Sequence, residues 1–170
     1  MMSIEWGQYT DRELLGHYAG LMDALRTRNV VRSSNNPIAD YAEMLVANAL
    51  DLRLAGRSAS GFDATDATGL QYQIKARRRT PQNSSTQLSA LRNLEKDPFH
   101  FLAAVMFEAD FSIQYAAVIP LAVVRQLSGW SEHTKSHRFL FRRNVLEQPG
   151  VQDITGRLNA YIESKDQRAP

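Results

Sequence analysis

Glu43, Asp63, Gln73 and Lys75 are the residues of this sequence whose types and spacing could act together on a phosphate. Gln73 and Lys75 lie two apart in the run YQIKARR, so on a strand they share one face while Tyr72 and Ile74 point to the other. If a turn at Gly69 folds 62–67 against 70–77 as a hairpin, Asp63 stands beside them on the neighbouring strand. Glu43 has Ala39, Val46 and Ala47 three or four positions away along a helix, so its carboxylate leaves an apolar face toward the interior. Two carboxylates, an amide and an ammonium brought together are costly to bury unless they bind a cation or a reacting phosphate.

Phosphodiester hydrolysis needs charge stabilisation at the phosphate and an activated water, and a hard cation held by oxygen ligands supplies both. In that scheme Asp63 is the direct ligand, Ile74 offers its backbone carbonyl, Gln73 gives a neutral oxygen, and Glu43 acts through a bound water. Replacing an acid by Gln73 lowers the charge of the site. It predicts weaker binding of Mg²⁺, with Mn²⁺ as the other candidate ion, and one ion in place of two. Lys75 neutralises developing charge or helps deprotonate the attacking water. A buried Glu43 needs a partner, and Lys75 or a metal-bound water fills that role. Asp66 is a second acid in the same hairpin, nearer the turn. The structural alternative is a buried ion pair among Glu43, Asp63 and Lys75 with no ligand.

The net charge of +2 decides nothing, but the cations are clustered. Lys75, Arg77, Arg78 and Arg79 form one group, and Lys135, His137, Arg138, Arg142 and Arg143 a second, as expected of a polyanion binder or of two solvated faces. Arg77 continues the face of Gln73 and Lys75 and is the best placed of its group to meet a phosphate. His133 and His137 are four apart, but no third zinc ligand is evident. With no cysteine, disulfides and thiolate metal sites are excluded, and a cytoplasmic location is expected. The opening MMSIEWGQYTDREL lacks the pattern of a secretory leader, and no apolar run reaches the ~20 residues of a membrane helix.

At 170 residues and 44% hydrophobic, the chain has material for one core, and a single domain over 1–170 is expected. Residues 1–34 form an N-terminal helical extension, 37–119 the core and 120–170 C-terminal additions. Thr10 caps a helix to about residue 27, and Asn36-Pro37 opens a second, apolar on most sides, to about residue 55. RSSNNP and GRSASG read as loops. After the hairpin, the polar stretch TPQNSST leads into a helix expected over about 86–94 and ended by Asp97-Pro98, whose Gln87, Ser89 and Arg92 either line a nucleic-acid groove or are ordinary surface polarity. FHFLAAVMFEADFSIQYAAVIP reads as two buried strands joined near Glu108–Asp110. Pro120 opens a helix to about 126, RFLFRR alternates as a half-exposed strand, 153–161 is a final helix, and the tail SKDQRAP frays. Trp6, Trp130 and the phenylalanines read as core or interface. The order implies an α/β (α+β) domain around a mixed sheet.

A helix bearing Glu43, then SGFDATD, then YQIKARR resembles the PD-(D/E)xK, or restriction endonuclease-like, nuclease superfamily; the Asp…Gln-x-Lys form is similar to that of Mrr-type enzymes. GFDA…YQIKxRR and QLSALRNL also resemble segments of uncharacterised bacterial proteins of that superfamily. The resemblance covers 37–119. It implies an αβββαβ core with an added N-terminal helix and a Mg²⁺-dependent DNA endonuclease acting in restriction or repair. It carries Asp63 over as metal ligand, Gln73 as the substituted ligand position, Lys75 as the catalytic lysine and Glu43 as the helix acid. Arg77, Arg78, Arg79, Gln87 and Arg92 become candidate DNA contacts, and a homodimer would supply two active centres. Phe62 stands where the family name has proline, and Gln73 where it has an acid. The alternative is a nuclease-fold DNA-binding or assembly module without catalysis.

Overall fold

In the computed structural model, described for residues 4–33, 36–56 and 61–167, a six-stranded mixed sheet runs through the middle of the molecule. Its strands are β1 (Arg53–Leu54), β2 (Ala64–Thr65), β3 (Gln71–Arg78), β4 (Phe101–Phe107), β5 (Ile113–Pro120) and β8 (Gln152–Asp153), in spatial order β1-β2-β3-β4-β5-β8. All neighbours are antiparallel except β3 and β4, which run parallel from Tyr72–Phe101 to Arg78–Phe107. β6 (Gly129–Ser131) and β7 (Ser136–Arg138) form a separate small hairpin. The helices are α1 (Asp11–Thr27), α2 (Ile38–Ala49), α3 (Leu121–Leu127) and α4 (Thr155–Asp166). The architecture is a mixed α+β fold.

Each face of the sheet carries its own core. Ile74, Ala103, Val105, Phe107, Ala116 and Val118 meet Ala42, Leu45 and Val46 of α2 and Leu158 of α4. On the other face Leu102, Ala104, Met106, Ala117 and Ile119 meet Leu88, Leu91, Phe99, Val124, Phe139 and Phe141. β4 and β5 are apolar on both faces because both are covered. Phe107, Phe139 and Phe141 have no exposed surface, and each contributes about 2–3 kcal/mol of burial.

α1 begins as expected, with Thr10 and Glu13 forming a reciprocal capping box. At α2, Asn36 Oδ1 accepts from Ile38 N at 3.1 Å. α2 ends six residues earlier than the apolar pattern suggests: Asp51 takes a left-handed φ of 56° and Leu52 N returns to Ala47 O at 2.8 Å. Leu52 then leads into β1, which holds Leu54, and both side chains pack on the core of the α2 face.

The expected helix over 86–94 is absent. Leu88, Leu91 and Leu94 recur at helical spacing, but their segment is extended and bonded to a distant one: Leu88 N reaches Phe139 O at 3.0 Å, His137 N reaches Leu91 O at 2.7 Å, and Phe141 N reaches Thr86 O at 2.9 Å. Tertiary backbone partners outweigh weak local preference in a stretch rich in Ser and Asn, leaving only a 3₁₀ turn at Leu94–Lys96. The parallel crossover from β3 to β4 therefore contains no α-helix, so the αβββαβ pattern lacks its second helix.

RFLFRR alternates as expected, with Phe139 and Phe141 buried and Leu140 exposed, but only Ser136–Arg138 is strand and a 3₁₀ helix follows at Arg143–Glu147. Trp6 and Trp130 are about half exposed, not core. α4 continues through Asp166, so the first residues of SKDQRAP are helical; residues 168–170, like 34–35 of RSSNNP and 57–60 of GRSASG, lie outside the described residues. No helix among the described residues is long and apolar enough to cross a membrane.

Candidate active site at the open edge of β3

β2 accompanies β3 only at Tyr72 and Gln71, whereas β4 follows it to Arg78. Odd-numbered residues of β3 direct their backbone to the β4 side: Gln71 O accepts from His100 N at 2.9 Å, and just beyond the strand Arg79 N donates to Phe107 O at 2.8 Å. Strand alternation turns the N–H and C=O of Ile74, Ala76 and Arg78 to the opposite edge, where the ladder with β2 has ended.

Asp63 occupies the point of divergence. Its N–H donates to Tyr72 O and its carbonyl accepts from Ala55 N, both at 2.8 Å, so its backbone is held on two sides. Its side chain stands in for the carbonyl that a continuing strand would offer: Oδ2 accepts from Ile74 N at 2.7 Å and from Gln73 Nε2. Ile74 O opens on the same edge and meets no donor among the described residues. The preceding loop approaches Pro98 at Gly61, whose φ is +96° and where a Cβ would lie 3.2 Å from Pro98 O.

Gln73, Lys75 and Arg77 share one face, in register with Leu102, Ala104 and Met106 of β4, as the two-residue spacing predicts. Lys75 is half-buried and forms no ion pair or hydrogen bond with a described residue. Glu43 comes close enough to Asp63 from α2 for their charges to interact, but α2 packs on the Ile74 face of the sheet, opposite the face of Gln73 and Lys75. Burial raises the Glu43 carboxyl above the usual carboxylate range, the charge of Asp63 adds to that, and Arg32 opposes it. The partner of Glu43 is Arg32, bonded through Nη2, and not Lys75 as expected. Arg32 precedes α2, and its N–H and that of Ser33 donate to Asp40 Oδ2 at 2.8 and 2.7 Å. Burial pulls the Asp40 carboxyl upward, but these bonds and the Arg32 charge hold it below its ordinary value. Nothing in the local spacing marks Arg32: it is eleven residues from Glu43 and is delivered by chain reversal.

Asp66 is excluded from the cluster. Its Oδ1 accepts from Thr68 N at 2.9 Å, Thr68 Oγ1 at 2.7 Å and Leu70 N at 3.0 Å, and these bonds, Thr68 first, lower its carboxyl. It shapes the hairpin turn.

The basic residues divide. Arg77 Nη2 donates to Asn83 Oδ1 at 2.9 Å while its Nε is buried without a partner among the described residues. Arg79 Nη1 reaches Gln114 Oε1 at 3.3 Å, and Arg143 Nη2 reaches Gln114 O at 3.4 Å with its guanidinium 5.4 Å from the Tyr115 ring. Lys75, Arg77, Arg79 and Arg143 thus form a row of cations, none ion-paired among the described residues. Arg143 came from the second sequence cluster. Arg78 lies on the alternate face, 4.6 Å over the Phe111 ring, and is separated from the row. Gln87 and Arg92 occupy the extended segment, not a helix; Gln87 pairs by a backbone bridge with Leu140, and Arg92 is exposed. His133 lies in an exposed turn, and His137 packs edge-on to Trp130 at 5.1 Å.

Among the described residues no three of His, Cys, Asp and Glu converge as a metal cluster. The oxygens that do gather are one carboxylate, one unpartnered backbone carbonyl and one amide that presents its oxygen if it turns over, with Glu43 nearby. That hard donor set fits a Mg²⁺ ion that keeps several waters and takes further oxygens from a phosphate. A cleft of about 560 Å³ lies elsewhere, between α2, α4 and the β4–β5 turn; Asp110, Glu163 and Asp166 line it and set it against an anionic ligand. No protein-family model and no curated protein matches this chain.

Proposed function

We propose that this chain is a metal-dependent DNA endonuclease of the restriction endonuclease-like, PD-(D/E)xK superfamily, in its Asp…Gln-x-Lys form. The observation that carries the proposal is the edge of β3: Asp63 accepts from Gln73 and Ile74 N where the ladder with β2 has ended, Lys75 shares the face of Gln73, and neither the Ile74 carbonyl nor Lys75 has a partner among the described residues. The fold supports it at a coarser level, through a helix with an acid followed by an antiparallel hairpin and a parallel fourth strand.

Asp63, Ile74 O and Gln73 Oε1 would hold Mg²⁺, and Glu43 would hold a water of its shell. Bound there, the ion would neutralise phosphate charge and lower the pKa of a water. Gln73 now points its amide nitrogen at Asp63, so metal binding requires that amide to turn over. Lys75 contacts a non-bridging phosphate oxygen and balances the negative charge that grows as the nucleophile attacks. Arg77 and Arg79 bind the adjoining phosphates and set the strand in line with the site.

The test is plasmid nicking with Mg²⁺ or Mn²⁺, alongside calorimetric titration of the ions. Asp63→Ala should abolish both ion binding and nicking, and Lys75→Ala should reduce nicking about 10²–10³-fold with ion binding intact. Full activity in either variant refutes the assignment.

Two contacts favour a second function, a DNA-binding or assembly module of the same fold without catalysis: Gln73 already satisfies Asp63, and Arg32 already satisfies Glu43. Such a module would bind DNA in a salt-dependent way, with no response to Mg²⁺ and no product.

A further inference from the structure

α1 is the one long helix whose apolar face is left open among the described residues. Leu15, Tyr18 and Leu21 are 69%, 50% and 58% exposed, and Ile4 and Trp6 beside its start are 53% and 47% exposed. By contrast α2 packs on β3 and α4, and α4 on β5. Leu14, Tyr18, Leu21 and Leu25 recur at intervals of four, three and four, the spacing of a helix–helix seam, over a helix about 25 Å long, with Tyr18 and Leu21 exposed at its centre and Leu14 and Leu25 half-buried at its ends. An apolar stripe of this size on a water-exposed helix marks an interaction surface.

The charges of α1 select its occupant. Its first turn carries Asp11 and Glu13 on either side of Arg12; its last turn carries Arg26, which pairs with Asp23 of the same helix, and Arg28 is the cap. A second copy laid parallel would set like charges and like helix ends together. Laid antiparallel, with the two-fold axis between Tyr18 and Leu21, it sets Leu14 against Leu25 and Asp11 against Arg28, and the helix dipoles oppose. We infer that α1 pairs antiparallel with α1 of a second copy, making the chain a two-fold symmetric homodimer joined through its N-terminal helix. The seam is short, so association is reversible and concentration-dependent.

Sedimentation velocity over a concentration series tests this directly. The wild-type chain should move from one to twice the chain mass as concentration rises. Tyr18→Glu combined with Leu21→Glu should remain monomeric with an unchanged circular dichroism spectrum, since both side chains face water in the monomer. Asp11→Arg should weaken the dimer at least tenfold, and Asp11→Arg with Arg28→Asp should restore it. A wild-type monomer at the highest soluble concentration overturns the inference and leaves the stripe to a different partner. A dimer that survives the double glutamate variant, or a charge swap that fails to rescue, overturns it equally. None of these readouts depends on nuclease activity.

Discussion

At Glu43 two influences oppose each other, and the larger decides how stability depends on pH. Burial and the neighbouring Asp63 disfavour its ionised form, and the ion pair with Arg32 only partly offsets them. Its carboxyl therefore titrates higher folded than unfolded. Between those two values the folded chain holds more protons, so stability falls as pH rises through the window, and the loss persists above it. Glu43→Gln should remove that decline and leave the melting temperature at neutral pH equal to or above wild type. Thermal denaturation across pH 4 to 8 measures it, and an unchanged slope would mean that another group carries the effect. Asp63 is placed by backbone bonds on both sides of its own residue, a precision that spacing between Asp63 and Gln73 foreshadows only through the hairpin.

The hairpin of β2 and β3 is the element that assembles the site, and two positions outside the chemistry control it. Asp66 gathers three donors at the turn, so Asp66→Ala should lower stability and loosen the register that brings Asp63 to Gln73. Gly61→Ala meets both a positive φ and a close contact with Pro98, so a loss of about 1–3 kcal/mol is expected there. Chemical denaturation of each variant gives the values; wild-type stability in Gly61→Ala would show that the loop can shift away from Pro98. The hairpin was legible because its signals are local: Gly69, Asp66 and the alternation of YQIKARR. The 86–94 segment was not. Its leucines fit a helix as well as a strand, and the deciding bonds come from residues 137–141, about fifty positions away.

Over the whole molecule the described ion pairs leave Lys75, Arg77, Arg79 and Arg143 available along one side of the sheet. If they meet phosphates, the logarithm of DNA affinity should fall with the logarithm of salt concentration, with a contribution of about 0.9 per contact. Arg143→Ala should then weaken binding and flatten that slope by about one, without altering the Mg²⁺ response. Fluorescence anisotropy at several salt concentrations measures this, and an unchanged slope removes Arg143 from the row. The row unites residues from both basic clusters of the sequence, which only chain reversal at β5 and the 3₁₀ segment brings together at Gln114.

Local order by itself determined the hairpin, the shared face of Gln73, Lys75 and Arg77, the two strands flanking Glu108–Asp110 and the cap of α1, because each depends on neighbours within a few residues. Tertiary structure alone decided the rest. It paired Glu43 with Arg32, set Arg78 over the Phe111 ring, straightened 86–94 against Phe139, and ended β2 early so that Asp63 and the Ile74 carbonyl face the same gap. Such outcomes depend on which distant backbone or charge arrives to compete with local preference. Spacing along a chain carries no record of that competition.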